Sequence, residues 1–440
     1  MKNRLMTSLA VLVLSTGGAI ADDKVTIITS FPDSMTGPIE AAFEAANPQY
    51  DLEVLNKKTS AGVKFIQETS DNNTSDIFWA SAPDAFEVLK SDDLLADVTI
   101  KSEGIPDMIG AYPLNDPDGK YYGFAGAGYG IMWNERYLKA NNLEPAAEWD
   151  DLAKPEYHGH VGMSAPSRSG TTHLTVETLL QGDGWDQGWA KWKRIAGNFS
   201  TVTERSFGVP DGVNTGNFGL GIVIDFFGFS SKASGFPVDF HYPTITALVP
   251  ANVAVVSNSP NEEGAVAFIE YLLTPEGQEV LLNPAIMRLP INPATYANAP
   301  EGFPNPFEDS TIGATVKFDV AKSGARYNLV NSMFDVMITY RLDDLRETVG
   351  AIHKAQAMHA DSGNEAAKAK IAEAWALVDA NPIDEARSLD ADFAAIFTKK
   401  RKKATDEVGE RQAEVEARWD AIVVENYAKA KALAEEAAEM

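Results

Sequence analysis

The chain has 440 residues, no cysteine and a formal net charge of −26. That length fills two cores of ordinary domain size without covalent staples, and the missing thiols exclude disulfides, thiolate metal sites, thiol nucleophiles and acylation at a leader cleavage site. The acidity argues against nucleic acid or an anionic membrane as a partner and repels small anions at long range, although screening beyond about 10 Å leaves local donors free to hold one.

The opening MKNRLMTSLAVLVLSTGGAIADD sets a basic end (Lys2, Arg4) before a short apolar run and Ala19-Ile20-Ala21. This is the make-up of a secretory signal peptide over 1–21 with a small-residue cleavage site, and it puts the expected mature protein outside the cytoplasm. The run is too short for a comfortable membrane span, and no later segment reaches the roughly 20 apolar residues a span needs. A Gram-negative periplasm is the expected address.

After the leader, 24–30 (KVTIITS) reads as a buried strand, and Pro38 is expected to open a helix that runs to Ala46. Strand 50–55, helix 61–69, strand 76–79 and helix 84–89 follow, the βαβαβ order of an open, largely parallel sheet. Over 119–134 (GKYYGFAGAGYGIMWN) the pattern predicts two short glycine-rich strands and a crossing into a second domain. That domain is expected to hold strand 159–163, loop 164–169, helix 171–181 and strand 219–225. Strand 253–256, amphipathic helix 262–273 and a further helix capped at Thr274 come next. From Lys322 the composition turns to Ala, Glu, Lys and Asp, and 329–359, 364–378 and 390–440 read as helices. The basic run 399–403 reads as a solvated helix face.

The leader, KVTIITSF (24–31), SAPSRSGTT (164–172) and AVAFIEYLLTPEGQEVL (265–281) together resemble the periplasmic solute-binding proteins of ABC importers. Within that family the chain is similar to the branch of ferric-ion, sugar-phosphate and phosphoglycerate-type receptors, over residues 24–310. The resemblance implies an α/β, two-lobe periplasmic-binding-protein fold (type II-like) with a helical C-terminal extension. Lobe 1 is expected at 22–125 with returning segments at 251–310, lobe 2 at 126–250, and the extension at 322–440. Phosphoglycerate-type members resemble this chain in carrying such an extension.

In open α/β sheets ligands bind beyond the carboxyl ends of strands, where helix N-termini present unpaired amides. Ser30-Phe31-Pro32, Lys58-Thr59-Ser60 and Ser81-Ala82 occupy such positions after the first three strands. In the second domain Arg168-Ser169-Gly170-Thr171-Thr172 offers hydroxyls, a glycine for close backbone approach and a guanidinium, and the family resemblance places ligand oxygens at this loop. A Ser or Thr before a helix is ordinarily only an N-cap, so each isolated hydroxyl has that simpler reading as well. Arg205-Ser206 is a second anion contact or else surface charge.

Ferric members of the family hold iron with adjacent tyrosines after a second-lobe strand; the matching pair here is Phe226-Phe227, which cannot ligate iron. Asp225 is expected either to accept hydrogen bonds from ligand hydroxyls while Phe226 packs on an apolar ring face, or to be a capped core carboxylate. Tyr121-Tyr122 reads as packing, and His158 and His160 make a weak metal spacing. No metal, cofactor or catalytic group is expected. The expected function is that of a non-enzymatic, monomeric receptor that closes on a small oxyanionic solute, such as a sugar phosphate or phosphoglycerate, and delivers it to an ABC permease. A ferric receptor on the same fold and a sensory protein serving a membrane kinase are the alternatives.

Overall fold

The structure is a computed structural model and describes residues 23–109, 112–309, 312, 313, 315–397 and 405–440. The expected leader 1–21 and the basic run 399–403 lie outside these described residues.

The strands are β1 (Asp23–Thr29), β2 (Tyr50–Asn56), β3 (Ile77–Ala80), β4 (Met108–Ile109), β5 (Tyr112–Pro113) and β6 (Tyr122–Asn134). They continue with β7 (Val161–Ser164), β8 (Phe199–Thr203), β9 (Leu220–Ile224), β10 (Val238–His241), β11 (Leu248–Val255) and β12 (Leu289–Pro290). The main sheet runs in the order β2-β1-β3-β11-β6-β9-β7-β8, with β10 and β12 also paired to β6. Strands β1, β2 and β3 are parallel, with Ile27 opposite both Val54 and Ile77. Helices cover both faces here, which is why β1 and β3 read as continuous apolar runs without alternation.

Strand β6 holds the two lobes together. Its first half lies against β11, ending with Gly128 opposite Leu248, and its second half lies against β9, beginning with Tyr129 opposite Ile224. The two short strands expected over 119–134 are therefore corrected to one strand of 13 residues. Its glycines reflect close neighbours: a Cβ at Gly128 would sit 2.6 Å from Tyr242 Cε1, and one at Gly130 would sit 2.1 Å from the His241 carbonyl oxygen.

The first helix is also corrected. It spans Asp33–Ala46 and contains Pro38 in its interior, where a missing donor and a ring clash ordinarily cost about 3 kcal/mol. The buried stripe Met35, Ile39 and Phe43 compensates, with Phe43 edge-on to Phe268 at 5.3 Å.

The C-terminal part comprises helices Val320–Ala325, Tyr327–Phe334, Leu342–His359, Glu365–Asp379 and Glu410–Ala438, with single helical turns at Glu385–Ser388 and Ala391–Ala394. The continuous helix expected over 390–440 is broken after the turn Ala391–Ala394. The reason is packing: Phe397 stacks on Trp419 at 5.1 Å, whereas a straight helix would separate these residues by about 33 Å. Leu329, Val349, Ile352 and Trp419 share one buried core with Trp149, Trp189 and Trp192 of lobe 2. A fully buried ion pair, Arg326 Nη2 to Glu177 Oε2 at 2.8 Å, pins the two together. Most of the extension is thus a second layer of lobe 2, while its first helix bonds to the lobe 1 helix Pro83–Ser91. Among the described residues no helix is long and apolar enough to cross a membrane.

Candidate functional site

A narrow cavity of about 20 Å³, well below the ~300–1,000 Å³ usual for small-molecule sites, lies where the strand ends of the two lobes face each other. Lobe 1 lines it with Ser30, Phe31, Pro32, Lys58, Thr59 and Ser81. Lobe 2 contributes Arg168, Ser169, Thr171, Arg205, Ser206, Phe226 and Phe227.

These residues stand where strands hand over to helices. Ser30, Ser81 and Ser169 precede helices Asp33–Ala46, Pro83–Ser91 and Gly170–Gly182, while Thr59 and Phe226 lie in the first turns of Thr59–Thr69 and Asp225–Ala233. Helix N-termini from both lobes therefore converge on one small volume, and each carries partial positive charge. Three side-chain cations, Lys58, Arg168 and Arg205, join them, and the lining holds no carboxylate, imidazole or phenol. In a chain of net charge −26 this is a local inversion of sign.

The lobes touch around the cavity. Lys58 Nζ lies 2.6 Å from Glu204 Oε1, Arg205 Nη2 donates to Asn56 Oδ1 at 2.8 Å, and Ser60 Oγ donates to the Ser167 carbonyl at 3.4 Å. Burial draws the Arg205 guanidinium below its ordinary range. Gly170 is needed for this approach, since a Cβ there would lie 2.6 Å from Ala82 Cβ and 2.9 Å from Thr59 Cγ2.

Of the residues singled out in the sequence, Ser30, Phe31, Thr59, Ser81, Arg168, Ser169, Thr171, Arg205, Ser206 and Phe226 share this cavity. Ser60, Gly170, Thr172 and Asp225 stand behind its wall. Thr172 is buried, its hydroxyl bonded to Ser164 Oγ and its amide donating to Ser169 Oγ at 3.2 Å, so Ser169 caps the helix as well as facing the cavity. The expectation that Asp225 meets ligand hydroxyls is corrected. Its carboxylate accepts from the amides of Gly128 and Phe226, each at 2.7 Å, and from Tyr242 Oη at 2.8 Å. Burial pushes it up to about 6 despite those donors. Asp225 ties β6 to the start of its own helix.

Phe227 entered the sequence reading only as unable to ligate iron, and Arg288 escaped it altogether. Phe227 stands on the wall beside Phe226, 4.2 Å between ring centroids. Arg288 lies fully buried directly behind the wall, its guanidinium 4.6 Å from the Phe31 ring and 4.2 Å from the Phe226 ring, while Nη2 donates to Ser81 Oγ at 2.6 Å. Nothing in the local sequence flags it. The preceding Met287 has φ of 50°, a left-handed conformation rare for a non-glycine residue, before β12 pairs with β6.

Two α/β lobes joined through β6 and the return into β11, closed upon a cavity at their strand ends, form the two-lobe periplasmic-binding-protein fold. The chain belongs to the family of bacterial extracellular solute-binding proteins, whose family model matches residues 72–308. Its relatives include the phosphoglycerate transport regulatory protein PgtC of Salmonella typhimurium, 31% identical over 86% of this chain and 90% of the relative. Among solved structures, the periplasmic binding protein AfuA of Actinobacillus pleuropneumoniae with fructose-6-phosphate bound superposes with a TM-score of 0.62 at 20% identity, covering 71% of this chain and 98% of AfuA. The apo ferric ion-binding protein A of Pasteurella haemolytica gives 0.56 at 15% identity, covering 71% and 97%. Identities this low establish the shared fold alone.

Proposed function

We propose that this chain is the periplasmic receptor of an ABC importer for a small phosphorylated solute, of phosphoglycerate or sugar-phosphate type. The carrying observation is the inverted charge of the cavity: Lys58, Arg168 and Arg205 with converging helix N-termini and no lining carboxylate. Several hydroxyls, among them Ser30, Thr59, Ser169 and Thr171, suit the oxygens of such a solute. PgtC, named for phosphoglycerate transport, supports the ligand class. Residues 1–21 direct export and are removed, and the monomeric receptor closes its lobes on the solute and presents it to a permease. Catalysis has no part in this reading.

The name of PgtC as a regulatory protein favours a second output, in which the loaded receptor signals to a membrane kinase. The ferric alternative finds no support in the donor set, because Phe226 and Phe227 present phenyl rings and the lining has no hard anionic ligand. Native mass spectrometry of gently purified protein, followed by calorimetry with 3-phosphoglycerate, fructose 6-phosphate, glycerate and ferric citrate, tests the reading. Retention or binding of a phosphorylated compound and indifference to glycerate is the expected result. A retained iron with a visible charge-transfer band, or tight binding of an uncharged sugar, overturns it.

A further inference from the structure

Arg288 stands apart among the cations near the cavity. It is fully buried, and among the described residues no carboxylate lies within ion-pair distance of it. Its Nε and Nη1 have no hydrogen-bond partner. The neighbouring Asp225 spends its carboxylate on two amides and Tyr242. A buried charge with unmatched donors is costly to the fold, so packing alone gives no reason for an arginine here. The surroundings explain its place: Phe31 from lobe 1 and Phe226 from lobe 2 stack on the guanidinium, and both line the cavity. Ser81 lines it too, and Ser81 Oγ accepts from Arg288 Nη2 at 2.6 Å. With its oxygen engaged as acceptor, the Ser81 hydroxyl keeps its own proton to donate forward, polarised by the charge behind it.

We propose that Arg288 is a positioning residue for ligand recognition, acting through Ser81 as a charge relay that offers a polarised hydroxyl to an oxyanion in the cavity. The proposal rests on the oxyanion reading above and deepens it. An anion in the cavity supplies a close countercharge, where Asp225 acts on Arg288 only from beyond ion-pair distance. Because the two stacking rings come from different lobes, the same guanidinium favours the arrangement in which the lobes meet.

The test titrates 3-phosphoglycerate, inorganic phosphate and glycerate by calorimetry into the wild-type chain, Ser81→Ala, Arg288→Met, Arg288→Lys and the Ser81→Ala/Arg288→Met pair. A ligand-free thermal melt accompanies each. Ser81→Ala is expected to weaken 3-phosphoglycerate about 10- to 100-fold, the loss of one hydrogen bond to a charged group. Arg288→Met should lose no more than Ser81→Ala, and the pair no more than Ser81→Ala alone, because both act through one hydroxyl. Arg288→Lys restores part of the affinity. Arg288→Met should also melt, without ligand, no lower than the wild type, since it removes a buried charge that has no ion-pair partner and two unmatched donors.

An arginine serving the fold alone gives the reverse: a lower melt, unchanged affinity in the folded protein and additive losses in the pair. That result overturns the relay and leaves the ligand class standing. Binding of glycerate in preference to both phosphates, with the same dependence on Arg288, overturns the phosphorylated class and upholds the relay. Wild-type protein silent to all three probes overturns both.

Discussion

Ser323 Oγ donates to Asp84 Oδ2 at 3.0 Å, so the first helix of the C-terminal extension bonds directly to the lobe 1 helix Pro83–Ser91. His173, from the lobe 2 helix that opens at Ser169, brings Nε2 within 3.1 Å of the same Ser323 oxygen and 3.2 Å of the same carboxylate. Its Nδ1 meets Asn331 Oδ1 at 2.8 Å. One buried polar cluster thus ties lobe 1, lobe 2 and the extension at a point behind the cavity.

Ser323→Ala removes a donor from a buried carboxylate. We expect it to lower stability by about 1.5–3 kcal/mol in urea denaturation and to weaken solute binding as well, because the cluster joins both lobes. A variant as stable as the wild type, with equal affinity, would show that the clasp contributes nothing.

Gly170→Ala isolates the contact between lobes. The position begins a helix with an ordinary backbone, so alanine suits it locally, but its Cβ would fall 2.6 Å from Ala82 Cβ. We expect a folded protein whose ligand affinity drops at least about tenfold and whose radius of gyration by X-ray scattering no longer contracts on adding solute. Wild-type affinity in this variant would mean that the lobes need not approach this closely.

Ser169 and Thr171 separate capping from recognition. Ser169→Ala is expected to cost about 1 kcal/mol of stability through the lost bond to the Thr172 amide, together with a loss of affinity. Thr171 lines the cavity without capping the helix, so Thr171→Ala should weaken binding alone, and Thr171→Asp should nearly abolish it by like-charge repulsion. Calorimetry beside thermal unfolding reads both quantities. Unchanged affinity in all three removes this loop from the site.

Asp225 carries a pH signature. Burial raises its folded pKa to about 6, from 3.8 in a solvated carboxyl, so between those values the folded chain holds a proton that the unfolded chain has released. Its contribution is complete below about pH 4 and is lost as pH rises through about 6. The stability of the wild type minus that of Asp225→Asn, measured by urea denaturation in steps from about pH 4 to 7, should therefore fall by up to about 3 kcal/mol and then level off. A difference that grows with pH contradicts the assignment.

Much of this was legible in the chain. Apolar runs at β1 and β3, each followed by a hydroxyl and a helix, pointed to strand ends as the candidate site, and Ser30, Thr59, Ser81 and the loop at Arg168 line one cavity. Pro38 misled because proline marks helix starts by local rule, while the Met35, Ile39 and Phe43 stripe is a tertiary matter. Asp225 misled because a carboxylate after a strand reads the same whether it faces a ligand or the Gly128 amide, 97 residues earlier in the chain. Arg288 was out of reach for a similar reason. Its partners Phe31, Ser81 and Phe226 come from three distant segments, and the unusual φ of Met287 that precedes it has no local signature.

The sign inversion between shell and cavity bears on timing as much as on affinity. On the proposed reading, an anion approaching a body of charge −26 is slowed by a field that reaches about 10 Å at modest ionic strength, then held once inside by the cations of the cavity. Added salt therefore acts oppositely on arrival and departure, quickening encounter while loosening the hold. Such a receptor discriminates through the dwell time of its guest, and solutes that reach it equally slowly part company only in how long they stay.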